Sequence, residues 1–438
     1  MIRHIKIALA ILACFPLTLL SQELLTKDDA VKITLENNYD IKVARNNIEI
    51  AEGNASRELN GYLPTVNANA GVNSTLGGST QQFSNGNENA VSNAFNWGTN
   101  ASLSANYTLL DKTRDMTRKQ LQEMVGLTDL QSQQVIENNL LQVFSSYFEV
   151  ARITQNIEVL EQTLEVSGQR LLRAQYQYEY GQGIQLNVLN SEVDIQRDSI
   201  NLLNAQNQLA NAKRNLNVSM GRAVETPLGV DTTVRYNPSL NLVQLIQDAQ
   251  RNNILVRLTD KNLDLAALDF EIINSTRKPT IGASAGYDFN FSDNASGSFI
   301  ELSNSRGLSA GVNLSWNIWD GGRRKVQKEI THINVANQKI LREQLLQQLE
   351  RDVTNTWESY QNALFILQAE KKNLATNQLN FQRTEEQYKI GQVTSVEFRQ
   401  AQLNLLAAAT NYNTAKYDAK LLELSLLQLS GQLLGAEY

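Results

Sequence analysis

The sequence predicts a mixed, internally duplicated fold in which four β-strands able to cross a bilayer are joined to long helices that pack like coiled coils. Three observations point there. The 438-residue chain repeats its own punctuation at an interval of about 210 residues. Gly61-Tyr62-Leu63-Pro64-Thr65 returns as Arg277-Lys278-Pro279-Thr280, and Asp111 returns as Asp320 in Ile318-Trp319-Asp320-Gly321-Gly322-Arg323. Tyr178-Glu179-Tyr180-Gly181 returns as Tyr388-Lys389-Ile390-Gly391, and Met220-Gly221 as Ser430-Gly431. Each copy holds two segments that alternate apolar and polar residues with period two, and each holds proline-free runs with an apolar residue at every seventh position.

Residues 1–21 read as a secretory signal: Arg3, His4 and Lys6 lead an apolar run from Ile7, and Ser21 precedes a polar start at Gln22. Cys14 is the sole cysteine, so cleavage after Ser21 leaves a mature chain without a thiol. Lipid attachment at Cys14 is the lesser reading, because the apolar run continues to Leu20.

The first repeat then spans 22–221, a connector 222–239, the second repeat 240–431 and a tail 432–438. Each repeat opens with a helix, over about 26–60 and 240–276. The strand pairs follow at 65–76/95–109 and 280–291/307–319. In the first strand Val66, Ala68, Ala70 and Val72 alternate with Asn67, Asn69, Gly71 and Asn73. In the last, Leu308, Ala310, Val312 and Leu314 alternate with Ser309, Gly311 and Asn313. At about 3.3 Å per residue such segments cross a tilted bilayer passage. Aromatic residues near several strand ends suit interfacial girdles, and the Asn, Ser and Gly face suits a wet lumen. The Gly-, Asn- and Ser-rich stretches 77–94 and 292–305 read as loops on one side of the membrane, with the helices on the other. Lipid tolerates no open sheet edge, so further copies must supply strands: two copies give eight and three give twelve.

Long helices are expected over 112–180 and 321–390, each returning through a Gly turn into helices 185–219 and 394–429. Ile136, Val143, Val150, Ile157, Leu164, Leu171 and Tyr178 form a period-seven seam, repeated by Leu346, Val353, Tyr360, Leu367, Leu374, Phe381 and Tyr388. Leu186, Val193 and Ile200 are expected to carry the seam in the first returning helix. About 70 residues at 1.5 Å each make a helix of roughly 100 Å. Gly181 and Gly391 supply turn conformations that other residues resist. Asp111 and Asp320 stand where strand becomes helix, where a carboxylate caps free N–H groups.

The net charge of -6 argues against a nucleic-acid partner. With 2 His and 1 Cys, and no GxSxG, HExxH or P-loop pattern, the chain carries no enzyme signature, and no cofactor or metal is expected. His332 lies within a long helix, and Gly321-Gly322 is a glycine pair at a helix start, a weak phosphate signal.

The plan resembles the TolC-like outer membrane efflux protein family. Leu63-Pro64-Thr65, Lys278-Pro279-Thr280, the two Tyr-x-x-Gly turns and, above all, Trp316-Asn317-Ile318-Trp319-Asp320-Gly321-Gly322-Arg323-Arg324 carry the resemblance. It implies a homotrimer in the outer membrane of a Gram-negative cell. Its twelve strands would form one barrel against outer membrane lipid, and its helices a periplasmic α-barrel. It also implies a periplasmic adaptor (membrane fusion protein) at the helical tip and an inner-membrane RND or ABC transporter. The chain would be the passive exit duct of a tripartite efflux or type I secretion system. A trimeric surface adhesin or structural coiled-coil protein is the alternative, but it has no need of strands with a polar face.

The resemblance also places a gate. The family narrows its tunnel with acidic residues six and nine positions after the second turn glycine, here Glu397 and Gln400. Three Glu397 carboxylates would form an acidic ring, while Gln400 departs from the pattern and makes its ring neutral. The family's closed-state link implies a Tyr388–Asn187 hydrogen bond, weaker than one to a carboxylate. Val393 stands where a second, basic link residue is usual. Tyr178, Gly181, Tyr388 and Gly391 mark the tip turns where an adaptor would dock.

Overall fold

The computed structural model describes residues 24–295, 298 and 300–435. The expected signal segment with Cys14 and the last three residues of the expected tail lie outside them. The elements run β1 (Leu24–Leu25), α1 (Lys27–Asn37), α2 (Tyr39–Asn54), β2 (Thr65–Gln82), β3 (Glu88–Leu110), α3 (Lys112–Glu179) and α4 (Gln185–Ser219). The second half continues with β4 (Gly229–Val230), α5 (Leu242–Asn252), α6 (Ile254–Ser275), β5 (Thr280–Asp293), β6 (Leu302–Ser315), α7 (Arg323–Lys389) and α8 (Ser395–Leu429). A 3-10 turn at Leu433–Gly435 closes the described chain, with Leu433 fully buried. The described residues fall into two compact units, one of 45–131 with 257–345 and the other of the remainder.

The first unit holds a four-stranded antiparallel sheet in the order β2-β3-β5-β6. Its register keeps like residues in line. Ala68, Leu103, Tyr287 and Leu308 sit side by side across the four strands, and on the opposite face Asn67, Ser104, Gly286 and Ser309 do the same. The strands differ in extent from the alternation in the sequence. The stretch 77–94, expected as a loop, is mostly ladder: β2 runs on to Gln82, β3 begins at Glu88, and a bulge lies between Gly77 and Ser79. Only Phe83–Asn87 turns, with the Phe83 N–H donating to the Asn87 carbonyl at 2.8 Å. Cross-strand pairing satisfies the backbone of these polar residues, and that outweighs their weak intrinsic strand preference. In the same way 292–305 shrinks at both ends, since β5 reaches Asp293 and β6 starts at Leu302. The last strand was expected to reach Trp319 but leaves the ladder after Ser315, because its one neighbour begins at Thr280 directly after Pro279. Trp316 instead donates its indole N–H to the Arg277 carbonyl at 3.0 Å.

In the second unit the core lies where α3, α4, α8, the N-terminal segment and the connector meet. Phe144, Tyr147, Phe148, Leu216, Leu228, Leu424 and Leu433 are fully buried there. The connector is strapped down. β4 pairs in parallel with β1, the Tyr147 hydroxyl donates to the Leu25 carbonyl at 2.7 Å, and Lys420 Nζ donates to the Arg235 carbonyl at 3.0 Å.

The single opening helices expected over 26–60 and 240–276 are each broken, at Asn38 and Asn253, whose ψ values are 134° and 133°. The reason is the same in both copies. Asn38 Nδ2 donates to the Ser219 carbonyl at 2.8 Å and Asn253 Nδ2 to the Leu429 carbonyl at 2.9 Å, binding each break to the end of its returning helix. Gly221 and Gly431 sit against these breaks at φ of 73° and 71°. A Cβ on Gly431 would lie 2.5 Å from the Asn252 carbonyl oxygen.

The seam of α4 is a further correction. Leu186, Val193 and Ile200 are exposed, and the buried period-seven series is Ser191, Asp198, Ala205 and Ala212. Helices approach according to the side chains between them, so the small stripe packs inside the hairpin and the large apolar stripe is left facing out. No helix among the described residues is long and apolar enough to cross a membrane.

Candidate functional site

The two hairpin turns share one backbone. The Gly181 and Gly391 N–H groups donate to the Tyr178 and Tyr388 carbonyls at 3.1 Å, and Gln182 and Gln392 close the wider loop to Gln177 and Gln387 at 2.7 and 2.8 Å. Both glycines have positive φ, 70° and 77°, which a side chain would strain. The helices that follow start differently. Ile184 precedes α4 with no side-chain cap, whereas Thr394 and Glu397 form a reciprocal capping box at α8. The Thr394 N–H donates to Glu397 Oε2 at 2.7 Å, and the Glu397 N–H donates to Thr394 Oγ1 at 3.2 Å. The backbone bond from Thr394, then its hydroxyl, hold the Glu397 carboxyl below the usual carboxylate range. Glu397 and Gln400 are both exposed in the single chain, and Gln400 bonds Asn404 at 2.8 Å.

Tyr388 and Asn187 are not brought together by a hydrogen bond. The Tyr388 ring lies flat on Phe398, centroids 4.7 Å apart and planes 5° apart, and Phe398 stacks on Phe381 at 5.5 Å. The Arg173 guanidinium lies over the Tyr388 ring at 5.0 Å and donates to the Lys389 carbonyl at 2.6 Å. A groove of about 480 Å³ opens here, lined by Arg170, Arg173, Tyr176, Tyr180, Tyr388 and Phe398. Tyr178 stays exposed.

Directly after Phe398, Arg399 of α8 enters a buried polar network that the sequence did not reveal. Arg399 forms a two-pronged ion pair with Asp198, both bonds 2.7 Å long. Ser167 Oγ donates to the same carboxylate at 2.6 Å. Gln402 Oε1 accepts from Arg399 at 2.9 Å, and its amide donates to the Thr163 carbonyl at 2.8 Å and to Ser167 Oγ at 3.0 Å. Asp194, held by Arg170 and by Arg197, stands 3.6 Å from Arg399 Nε. Arg399, Asp198, Ser167 and Gln402 are 6%, 2%, 0% and 3% exposed. Removing one charge would strand the other away from water, at about 3–5 kcal/mol.

In the sheet-bearing unit, Asp111 Oδ1 accepts from the Thr113 and Arg114 N–H groups at 2.9 and 3.1 Å. Asp320 accepts from the Gly322 and Arg324 N–H groups at 3.2 and 3.0 Å. Gly321 and Gly322, at φ of 71° and 89°, insert a turn before α7 that the first copy lacks. Arg114 and Arg324 staple the strand ends, through Thr108 at 3.0 Å and Asn317 at 3.1 Å. No group of three or more potential metal ligands occurs among the described residues.

The profile of the outer membrane efflux protein family matches residues 30–222 and 245–432, one stretch per repeat. The chain belongs to that family. It is 25% identical over 300 residues to outer membrane protein TolC of Vibrio cholerae serotype O1, covering 67% of this chain and 68% of that one. Its fold matches the CmeC outer membrane channel of Campylobacter jejuni at a TM-score of 0.73 and 12% identity, over 93% of this chain and 86% of that one. The outer membrane protein VceC of Vibrio cholerae matches at 0.70 and 15% identity, over 92% and 96%.

This efflux-family member is therefore an outer membrane channel protein with a TolC-like fold. Within that frame, sequence reasoning missed Arg173, Arg399, Asp198, Ser167 and Gln402. One signal was present: Asp198 is the charged member of a small-residue series spaced by seven.

Proposed function

We propose that the protein is the exit duct of a tripartite efflux or type I secretion system, working as a homotrimer. The observation that carries this is the open sheet. Its strands of 14 to 23 residues exceed the nine to eleven a tilted crossing needs, and their apolar row is continuous across all four. The edges of β2 and β6 are unpaired among the described residues, and lipid does not accept open edges. Edge-to-edge pairing of β6 with β2 of a second copy closes the barrel, and three copies make twelve strands. The exposed stripe of Leu186, Leu189, Val193, Ile200 and Leu203 on α4 supports the same assembly, since a neighbouring copy's helices would cover it.

In this reading the helices stand in the periplasm. A periplasmic adaptor meets the Gly181 and Gly391 turns, and an RND or ABC transporter in the inner membrane drives transport. The duct conducts passively. Glu397 contributes a ring of charge at the tip while its carboxylate also caps α8. The test is the mass of the purified protein in detergent together with its single-channel conductance in planar bilayers. A trimer that opens discrete, narrow pores is expected. A monomer, or a trimer that never conducts, contradicts the proposal and favours an adhesin or structural coiled coil.

A further inference from the structure

We propose that the end of the sheet where strands run into helices binds the anionic headgroups of phospholipids, with Arg57, Arg114 and Arg118 around Tyr62 forming one phosphate site. The inference rests on the reading above, in which the strands cross the outer membrane and the helices stand in the periplasm.

Charge is sorted between the two ends of the sheet. The register brings Thr65, Leu110, Thr280 and Ser315 to one end. The four stretches beyond that end, 57–64, 111–119, 274–279 and 320–328, hold eleven Lys and Arg against four Asp and Glu. The stretches at the far end, 77–97 and 292–306, hold three Asp and Glu and a single Arg. The whole chain has a net charge of -6, so the basic end runs against its composition. Three of the four carboxylates there are already engaged. Asp111 and Asp320 cap helix starts, and Asp115 accepts from the Tyr62 hydroxyl at 2.8 Å. Among the described residues Arg57, Lys112, Arg118, Lys278 and Arg323 form no ion pair.

At Tyr62 like charges converge. The guanidinium carbons of Arg57, Arg114 and Arg118 lie 5.6, 4.2 and 5.3 Å from the centre of its ring. The ring face attracts cations but does not neutralise three of them. Arg114 donates to the Gly61 and Thr108 carbonyls at 2.8 and 3.0 Å. Arg57 and Arg118 make no side-chain hydrogen bond among the described residues, and the buried Nε–H groups of Arg114 and Arg118 have no partner. A phosphate held by the outer nitrogens of Arg57 and Arg118 accepts from guanidinium forks and offsets charge the protein leaves unmet. The apolar surroundings select a lipid over a free anion. Leu59 and Leu63 are exposed beside the cluster, and Trp316, Ile318 and Trp319 are exposed at the same end of the sheet. Trp and Leu next to Lys and Arg suit a headgroup boundary, with rings toward the acyl region and charges toward phosphate. The acidic far end repels the same headgroups, so the sorting also favours the basic end for the phospholipid leaflet.

Tryptophan quenching in vesicles tests the site. The full chain with Trp97→Phe and Trp357→Phe keeps only Trp316 and Trp319, which edge-to-edge pairing of β6 with β2 sets beside Leu63 of the next copy. It is reconstituted into phosphatidylcholine vesicles holding a minor share of either brominated phosphatidylglycerol or brominated phosphatidylcholine. At equal share, brominated phosphatidylglycerol should quench several-fold more, and raised salt should reduce that excess. Adding Arg57→Gln with Arg118→Gln should remove most of it. Equal quenching by the two lipids, or an excess that the double variant leaves unchanged, overturns the site and leaves the spanning strands standing. Absence of quenching by either lipid contradicts the placement of the strands in the membrane and takes the site with it. Should the double variant fail to assemble, the salt series on the protein with Arg57 and Arg118 intact decides, because an excess indifferent to salt overturns an electrostatic site. A lumenal role for the arginines would appear as a shifted reversal potential of the double variant under a salt gradient with the lipid excess unchanged, and that result also overturns the proposal.

Discussion

Helices α3 and α8 meet in two quite different ways. Around Phe144, Tyr147 and Phe148 the contact is aromatic and aliphatic: Phe148 stacks on Tyr417 at 5.7 Å, and Leu424 and Leu427 complete a core sealed from water. Around Thr163, Ser167 and Arg170 the same helix presents small or polar residues, and α8 answers with Arg399 and Gln402. Apolar contact scales with area and holds at any nearby arrangement, while a buried ion pair holds at one arrangement only. The difference teaches that one continuous pair of long helices can be held by apolar area along one stretch and by directional polar bonds along another, without a break in either helix.

The largest effect is expected in the aromatic stretch. Phe148→Ala empties a fully buried site and should destabilise by about 3–5 kcal/mol, read as a large drop in the thermal unfolding midpoint or loss of assembled protein. A small change there would erase the distinction between the two stretches. Next comes the break at Asn253, which ties α8 to the opening helices. Gly431→Ala forces a side chain into positive φ, about 1–3 kcal/mol before its clash with the Asn252 carbonyl is counted. The matching Gly221→Ala should behave alike, and unequal effects on the midpoint would show that the two copies are not equivalent there.

Smaller effects belong to the turns. Thr394→Ala removes the α8 cap and should cost about 1 kcal/mol, while Ile184→Thr should supply α4 with the cap it lacks and gain a comparable amount. Smallest is the pH effect of Glu397. Its folded carboxyl titrates below the usual range, so its contribution is present above the unfolded value and lost as pH falls through the folded one. Hydrogen exchange in the first turn of α8 should therefore differ between the parent and Glu397→Gln at neutral pH and converge in acid. A difference that persists in acid would mean the box does not depend on the charge.

How much of this was legible in the sequence follows the range of the interactions. Period two and period seven are local, and they located the four strands and the buried positions Val143, Val150, Val353 and Tyr360. Strand ends were misjudged because Gln81 and Asn89 are held in the ladder by their partners across the turn and not by their own preferences. The breaks at Asn38 and Asn253 were invisible because their partners, Ser219 and Leu429, lie more than 170 residues away. α4 carries two period-seven stripes, and hydrophobicity alone picked the outward one. Arg399 and Asp198 stand 201 residues apart with nothing local to link them. Glu397 was chosen as a charge at a position, and its capping bond to Thr394 adds a structural reason for that charge.

The most direct test of the contrast is hydrogen exchange along α8 in the purified duct at neutral pH. Peptides covering 398–409 should exchange markedly faster than those covering 417–427, because separation at the polar stretch does not require the aromatic core to open. Equal protection along the helix, or faster exchange beside Tyr417, would contradict the account.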